Sequence, residues 1–149
     1  MSATPAEIAD LRRCLYASGA KLLALALLTG IWAAATLTGM VAVALPRLGL
    51  GAHLAGLMGA FWIFAVASSL EFLNYDARQL RRLRNLLYVA NWGNWSVTLL
   101  GSFLGVSGLA FNHDPANNLI AGLLQMVVVL PSLGAAGMWM MGFRTPTRA

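Results

Sequence analysis

Four stretches of mostly apolar residues, each long enough to cross a bilayer, constrain this chain more than any other feature. About 20 apolar residues in a helix cover the roughly 30 Å of hydrocarbon. These stretches predict helices, to within a few residues, at 22–45, 49–70, 86–110 and 119–143. Only 10% of the 149 residues are charged, against about a quarter in a soluble domain. The sequence therefore predicts an all-α membrane protein, a single domain over 1–149 that forms a bundle of four transmembrane helices.

The basic residues predict the orientation of this bundle. Nine of the ten lysines and arginines lie in the N-terminal segment, between the second and third helices, or in the tail, and only Arg47 lies elsewhere. Because cytoplasmic loops carry the excess of positive charge, both termini are predicted to be cytoplasmic, in a multi-pass protein of a bacterial inner membrane. We expect the cluster Arg78–Arg84 to lie at the lipid headgroups and no nucleic acid to bind.

Caps and prolines mark the predicted helix ends. Residues 1–20 are expected to form a short cytoplasmic helix, with Thr4 as N-cap, Pro5 at the first helical position and Glu7 at the third. Pro46 is predicted to close the first transmembrane helix. Pro131 is predicted to kink the fourth, because it removes a backbone hydrogen bond.

His53 is the one polar residue deep in the second predicted helix. Gly56 and Gly59 follow it within two turns, so the face beside the imidazole suits a large, flat group. This imidazole is also the only strong metal ligand in the predicted spans, and a single histidine can hold haem iron while leaving one side open. The alternative is that the glycines only pack helices and His53 makes a hydrogen bond at their interface.

The third predicted helix carries the other polar cluster, in the sequence NWGNW at 91–95. Asn91, Asn94 and Thr98 share one face, and Trp92 flanks it. Interfacial position could explain the tryptophans, but amides in hydrocarbon need hydrogen-bond partners. Gln125 in the fourth helix is expected to pack against a neighbouring helix.

At AHLAGLMGAFWIF and NWGNW the sequence resembles the hydroxylaminobenzene mutases and, more distantly, the styrene oxide isomerases. Both are small four-helix membrane proteins that share a histidine followed three residues later by glycine, here His53 and Gly56. They also share a Gly-Asn-Trp or Trp-x-Asn pattern in the third helix, here within residues 92–95.

The resemblance implies haem b held by His53, in a homotrimer whose interfaces enclose it. It also implies rearrangement of a small aromatic hydroxylamine to an aminophenol, with iron as the Lewis acid that activates the substrate oxygen. Carried over, Gly56 faces the cofactor, Trp92 walls the pocket and Asn94 hydrogen-bonds the substrate, with Asn91 adding polarity.

Two departures and one geometric difficulty accompany this resemblance. Where styrene oxide isomerases have an asparagine and a tyrosine, this chain has Gly59 and Thr98, which favours the mutase over isomerisation of an aryl epoxide to an aldehyde. The predicted spans also place His53 and Asn94 about 12 Å apart in depth. A packing subunit without a cofactor and a haem carrier or sensor remain the alternatives to an enzyme.

Overall fold

The computed structural model describes residues 3–144, which are helical with no strand among them. The helices are α1 (Pro5–Leu37), α2 (Arg47–Ser69), α3 (Ala77–Leu104), α4 (Pro115–Leu123) and α5 (Leu130–Gly142). A 3-10 turn at Leu70–Phe72 extends α2. A π-helical stretch at Leu124–Val129 joins α4 to α5, and together these form one continuous helix, the fourth segment. The predicted all-α class is confirmed.

The beginning of α1 confirms the predicted cap but not the predicted short helix. The backbone N–H of Glu7 donates to Thr4 Oγ1 at 3.3 Å, and the N–H of Thr4 donates to Glu7 Oε2 at 3.0 Å. The helix then runs for 33 residues without a break near residue 20. It continues because its buried stripe continues through this point: Leu11, Leu15, Gly19, Leu22 and Ala26.

The end of α1 comes eight residues earlier than predicted, at Leu37 rather than 45. Gly39 takes a left-handed φ of 75°, which a helix cannot accommodate, and the N–H of Val41 turns back to the carbonyl of Ala35. Pro46 therefore does not close the first helix. It stands at the N-cap of α2 instead.

The third helix begins nine residues before its predicted start and ends six residues before its predicted end. Asp76 caps α3 by accepting the N–H of Gln79 at 2.8 Å. The leucines Leu80, Leu83 and Leu87 are buried at helical spacing, so the arginines between them lie on the exposed side of a helix, not in a loop.

Three of the four helical segments have the length and hydropathy of membrane spans. They are Pro5–Leu37, Arg47–Phe72 and Pro115–Gly142. The arginine-rich first half keeps α3 out of this set, although α3 packs against each of the other three segments. The chain is thus a multi-pass integral membrane protein, and a fourth span and cytoplasmic termini stay predictions.

Small residues bring the helices together. Gly56 of α2 faces Ala26 of α1, and Gly93 of α3 faces Val127 of the fourth segment. A π-helical stretch lies just before Pro131, where the N–H of Leu130 donates to the carbonyl of Gln125. The kink at Pro131 stays a prediction. The Gln125 side chain is exposed, so within the protomer it does not pack against a neighbouring helix as expected.

Candidate functional site

His53 lies in the second turn of α2, with its ring against α1. Its Nδ1 is 2.7 Å from the carbonyl oxygen of Ala26. Since a carbonyl can only accept, Nδ1 carries the proton. Gly30 of α1 provides the space, because a Cβ there would lie 3.1 Å from both Cε1 and Nδ1 of the ring. Helix α1 therefore sets the tautomer and the orientation of the imidazole.

The same tautomer leaves Nε2 of His53 with a free lone pair. This atom makes no hydrogen bond to the described residues. Among these residues, the side-chain nitrogens and oxygens that are fully buried without a hydrogen bond all belong to Arg12, so Nε2 is not fully buried. Nε2 therefore lies at the surface of the helix bundle. Leu27 of α1 and Leu50 and Leu54 of α2 are exposed within a turn of Gly30 or His53, so the surrounding surface is apolar.

Gly56 packs helices rather than lining an open face. A Cβ at this position would lie 2.6 Å from Ala26 Cβ and 2.8 Å from Trp95 Cδ1. The glycine is buried between α1 and α3, and no flat group could lie against it within the protomer. The expectation that Gly56 faces a cofactor is therefore corrected, and the alternative of helix packing describes this residue.

Asn91 is buried in the contact between α3 and α2. Its amide nitrogen donates to the carbonyl of Leu87 at 2.8 Å, and only 5% of the residue is exposed. The side chain fills the space beside Gly59, where a Cβ would lie 3.0 Å from its Oδ1 and 3.1 Å from its Cβ. Asn91 thus has a packing position in the protomer, away from the face that carries His53.

Asn94 and Thr98 form a half-buried polar pair on α3. The hydroxyl of Thr98 is 3.4 Å from Asn94 Oδ1, to which it donates. The amide nitrogen of Asn94 makes no hydrogen bond to any side chain or backbone group in residues 3–144, and two N–H donors are therefore available to an external acceptor.

In depth, this pair lies close to His53. Thr98 contacts the position of Gly51, and Trp95 contacts that of Gly56, so two α3 residues that follow Asn94 within about one turn bracket His53 along α2. The predicted depth difference of about 12 Å is wrong. It arose from the late predicted start of α3, which placed Asn94 too near the end of its helix.

Around the helix axis, however, the pair and His53 are on different sides of α2. Successive helical residues are about 100° apart, so Gly51, the neighbour of Thr98, lies about 200° around from His53. The ring of His53 meets Gly30 of α1, whereas Thr98 approaches α2 from the side of α3. One protomer therefore does not bring the Asn94 amide to the imidazole.

Trp92 is also separated from His53. Its indole N–H donates to Ser18 Oγ of α1 at 3.0 Å, and its ring stands edge-on to Trp95 with 6.0 Å between centroids. It lines a cavity between α1 and α3 together with Tyr88. Ser18 precedes Gly30 by 12 residues on α1, which is about 18 Å along the helix axis. Trp92 is therefore not a wall beside His53 within the protomer.

The residues that sequence reasoning missed are the supports of His53. Ala26 acts through a backbone carbonyl and Gly30 through the absence of a side chain, so neither residue type indicates a site in a sequence. Their distance of 27 and 23 residues from His53 becomes a contact only when α1 and α2 pair.

Comparison with known proteins gives one match. A family model described as styrene oxide isomerase matches residues 11–144, which is most of the chain. No curated protein and no solved structure matches significantly. The match confirms the more distant of the two resemblances, and it includes α2, α3 and the fourth segment in full.

Proposed function

Since the chain belongs to the styrene oxide isomerase family, we propose that it converts a small, neutral aryl epoxide to an aldehyde within the membrane. The family indicates an isomerase that acts on an epoxide. The cofactor, the assembly and the residues that act are the further parts of this proposal. The observation that carries them is the geometry of His53.

Haem b fits the donor that α2 presents. A histidine that ligates a metal usually donates its second N–H to a carbonyl or carboxylate, which fixes the ring and makes the ligating nitrogen more basic. His53 has this arrangement, with Nδ1–H held by Ala26 and Nε2 open at an apolar surface. We therefore propose that Nε2 holds haem b, with Gly30 keeping the ring against α1.

The reaction requires no exchange of electrons or atoms with another molecule. The benzylic C–O bond of the epoxide opens, and a hydride moves to the benzylic carbon from its oxygen-bearing neighbour, which becomes the aldehyde carbon. When bound through His53, haem would supply a Lewis-acidic iron, which favours this opening. The chain itself must supply orientation, hydrogen bonding and a site without water.

Asn94 is the residue best suited to orient the oxygen. Thr98 occupies its carbonyl oxygen, so its amide N–H groups remain to donate to the epoxide oxygen. One well-placed donor toward developing negative charge contributes about 3 kcal/mol. The aliphatic side chains around His53, including Leu27 and Leu54, would keep water from the cationic carbon.

Because His53 and Asn94 lie on different sides of α2, we propose that a site is completed by two copies of the chain. His53 of one copy and Asn94 of its neighbour would meet at the interface of a homotrimer. A ring of copies repeats one heterologous interface, so each interface would contain one complete site. The neighbour would also cover the exposed leucines beside the imidazole.

An aromatic hydroxylamine is the second candidate substrate, with an aminophenol as product. It is favoured by the two positions at which the chain departs from styrene oxide isomerases. Asn91 fills the space beside Gly59, and Thr98 leaves more room beside Asn94 than a tyrosine would. The same arrangement of His53 and the Asn94 side-chain amide would serve either substrate, since both substrates present a polar oxygen beside an aromatic ring.

The experiment combines a visible spectrum with product analysis. The protein is purified from a bacterial inner membrane in detergent, as wild type and as His53→Ala. We expect a Soret band in the wild type that the variant lacks, and aldehyde formation from styrene oxide that requires the band. Formation of an aminophenol from an aromatic hydroxylamine, without aldehyde from styrene oxide, would favour the second substrate. Bound haem without either product would indicate a carrier or sensor. A wild type that stays colourless after haem addition would contradict the cofactor and favour a packing subunit.

A further inference from the structure

A cavity between α1 and α3 lies apart from the proposed site. Its volume is about 390 Å³, and it is open toward the surroundings of the bundle. Its lining combines small, aromatic and cationic residues: Cys14, Ala17, Ser18, Lys21, Tyr88 and Trp92. No part of the proposed isomerase reaction uses these residues.

The aromatic walls of this cavity are fixed to α1. The hydroxyl of Tyr88 donates to the carbonyl of Cys14 at 2.9 Å, and the indole N–H of Trp92 donates to Ser18 Oγ at 3.0 Å. Because their polar atoms are already bonded, both rings offer mainly apolar surface to an occupant. The cavity is therefore preformed, with walls that suit a hydrocarbon or glycerol segment.

Two cations beside the cavity have no carboxylate partner. Among residues 3–144, the ion pairs are Arg12–Glu71 and Arg81–Glu7, and neither includes Lys21 or Arg84. The guanidinium carbon of Arg84 lies 6.0 Å from the ring centroid of Tyr88, and Arg84 donates to the amide oxygen of Asn85.

The acidic residues of α1 do not compensate Lys21 either. Asp10, the nearest along the helix, lies about 16 Å away along its axis at 1.5 Å per residue. Glu7 and Asp10 line a neighbouring pocket together with Arg84, so it is the charge of Lys21 for which residues 3–144 supply no anion.

The position along α1 indicates which anion this is. Lys21 directly precedes Leu22, where the apolar run begins, and Tyr88 and Trp92 are of the residue types that mark the membrane interface. The cavity thus lies at the level of lipid phosphates, in the leaflet next to the arginines. We propose that it binds an anionic glycerophospholipid of the phosphatidylglycerol class, with the phosphate at Lys21, Arg84 on the headgroup side and the glycerol against the aromatic rings.

Native mass spectrometry of the full chain in detergent tests this proposal. Phosphatidylglycerol and phosphatidylcholine with identical acyl chains are titrated separately, and bound lipid is counted. We expect the wild type to bind phosphatidylglycerol more tightly. A cation near the membrane surface changes anionic-lipid binding by about five-fold, and Lys21→Gln with Arg84→Gln should weaken it by about this factor for each charge.

The matched control removes two charges from the same end of α3 without touching the cavity. Arg78→Gln with Arg82→Gln alters two exposed arginines and should keep most of the preference. Equal losses in both double variants, or a wild type without preference, would overturn the proposal.

A cavity-filling variant tests the same proposal without any change of charge. Ala17→Leu places a larger side chain in the cavity at an exposed position, where the fold should tolerate it. It should lose lipid although both cations remain. Full lipid retention by a folded Ala17→Leu would also contradict a site in this cavity. Circular dichroism of each variant confirms that the helices are intact.

Discussion

Replacing Gly56 by alanine is the most informative single change in the helix packing. The added Cβ would lie 2.6 Å from Ala26 Cβ and 2.8 Å from Trp95 Cδ1, both closer than carbon atoms approach without a shift. Ala26 of α1 and the ring of Trp95 must therefore both move away from the new methyl group. Ala26 is also the residue whose carbonyl holds His53, so the same movement would lengthen a hydrogen bond of 2.7 Å.

The size of the effect follows from two opposing terms. Adding a methyl group to a packed interface costs about 1–3 kcal/mol. Alanine is a better helix former than glycine by about 0.5–1 kcal/mol, which offsets part of this cost. We expect Gly56→Ala to be less stable by up to about 2 kcal/mol and, if His53 holds haem, to retain it less well.

Gly137→Ala is the matched control, because no heavy atom lies within 4 Å of a Cβ built at that helical position. It should be as stable as the wild type or more so. Thermal unfolding of both variants in the same detergent, followed by circular dichroism, gives the comparison. A Gly56→Ala protein as stable as Gly137→Ala would refute the packing role and return Gly56 to an open, cofactor-facing surface.

Three further predictions concern other contacts of the bundle. Thr29→Val removes the acceptor of the Trp95 indole N–H at 3.0 Å and should lower stability by about 1 kcal/mol in thermal unfolding. Gly59→Asn should unfold at a lower temperature than the wild type, because the Asn91 side chain already fills the space beside Gly59. Adding Asn91→Ala should recover part of the lost melting temperature, and equal melting temperatures of the single and double variants would contradict this. Hydrogen bonds from Thr4 to the Glu7 carboxylate lower the pKa of Glu7 below its ordinary 4.5. The carboxylate therefore stabilises the start of α1 above pH 4.5, and this stability is lost as the pH falls through the lowered pKa. Amide hydrogen exchange of this turn should therefore speed up in acid for the wild type but much less for Glu7→Gln.

The elements that depend on local chemistry could be predicted from the sequence. The capping box at the start of α1 follows from Thr4 and Glu7, which are three residues apart, and it formed as expected. The long apolar runs gave the helical class and three of the membrane segments. The boundaries of α3 were missed because its arginines suggested a loop, although leucines at helical spacing run between them.

The candidate site depends on the contacts between helices, and it could be predicted only in part. His53 was found because an imidazole in an apolar helix is rare, but its supports on α1 carry no recognisable side chain. Gly56 and Asn91 have the residue types of a site, and both serve packing within the protomer. No sequence pattern distinguishes a glycine that admits a ligand from a glycine that admits a neighbouring helix.

The central claim, that His53 and Asn94 of different copies form one site, is tested most directly by mixing inactive variants. His53→Ala and Asn94→Ala chains carry different affinity tags, are produced together, and mixed assemblies are purified on both tags. If each site joins two copies, every mixed trimer contains both native residues at one of its interfaces, which is about one third of the sites. We predict isomerase activity of the mixture well above that of either variant alone. Activity no higher than in the separate variants, in assemblies that contain both chains and bind haem, would contradict a site shared between copies.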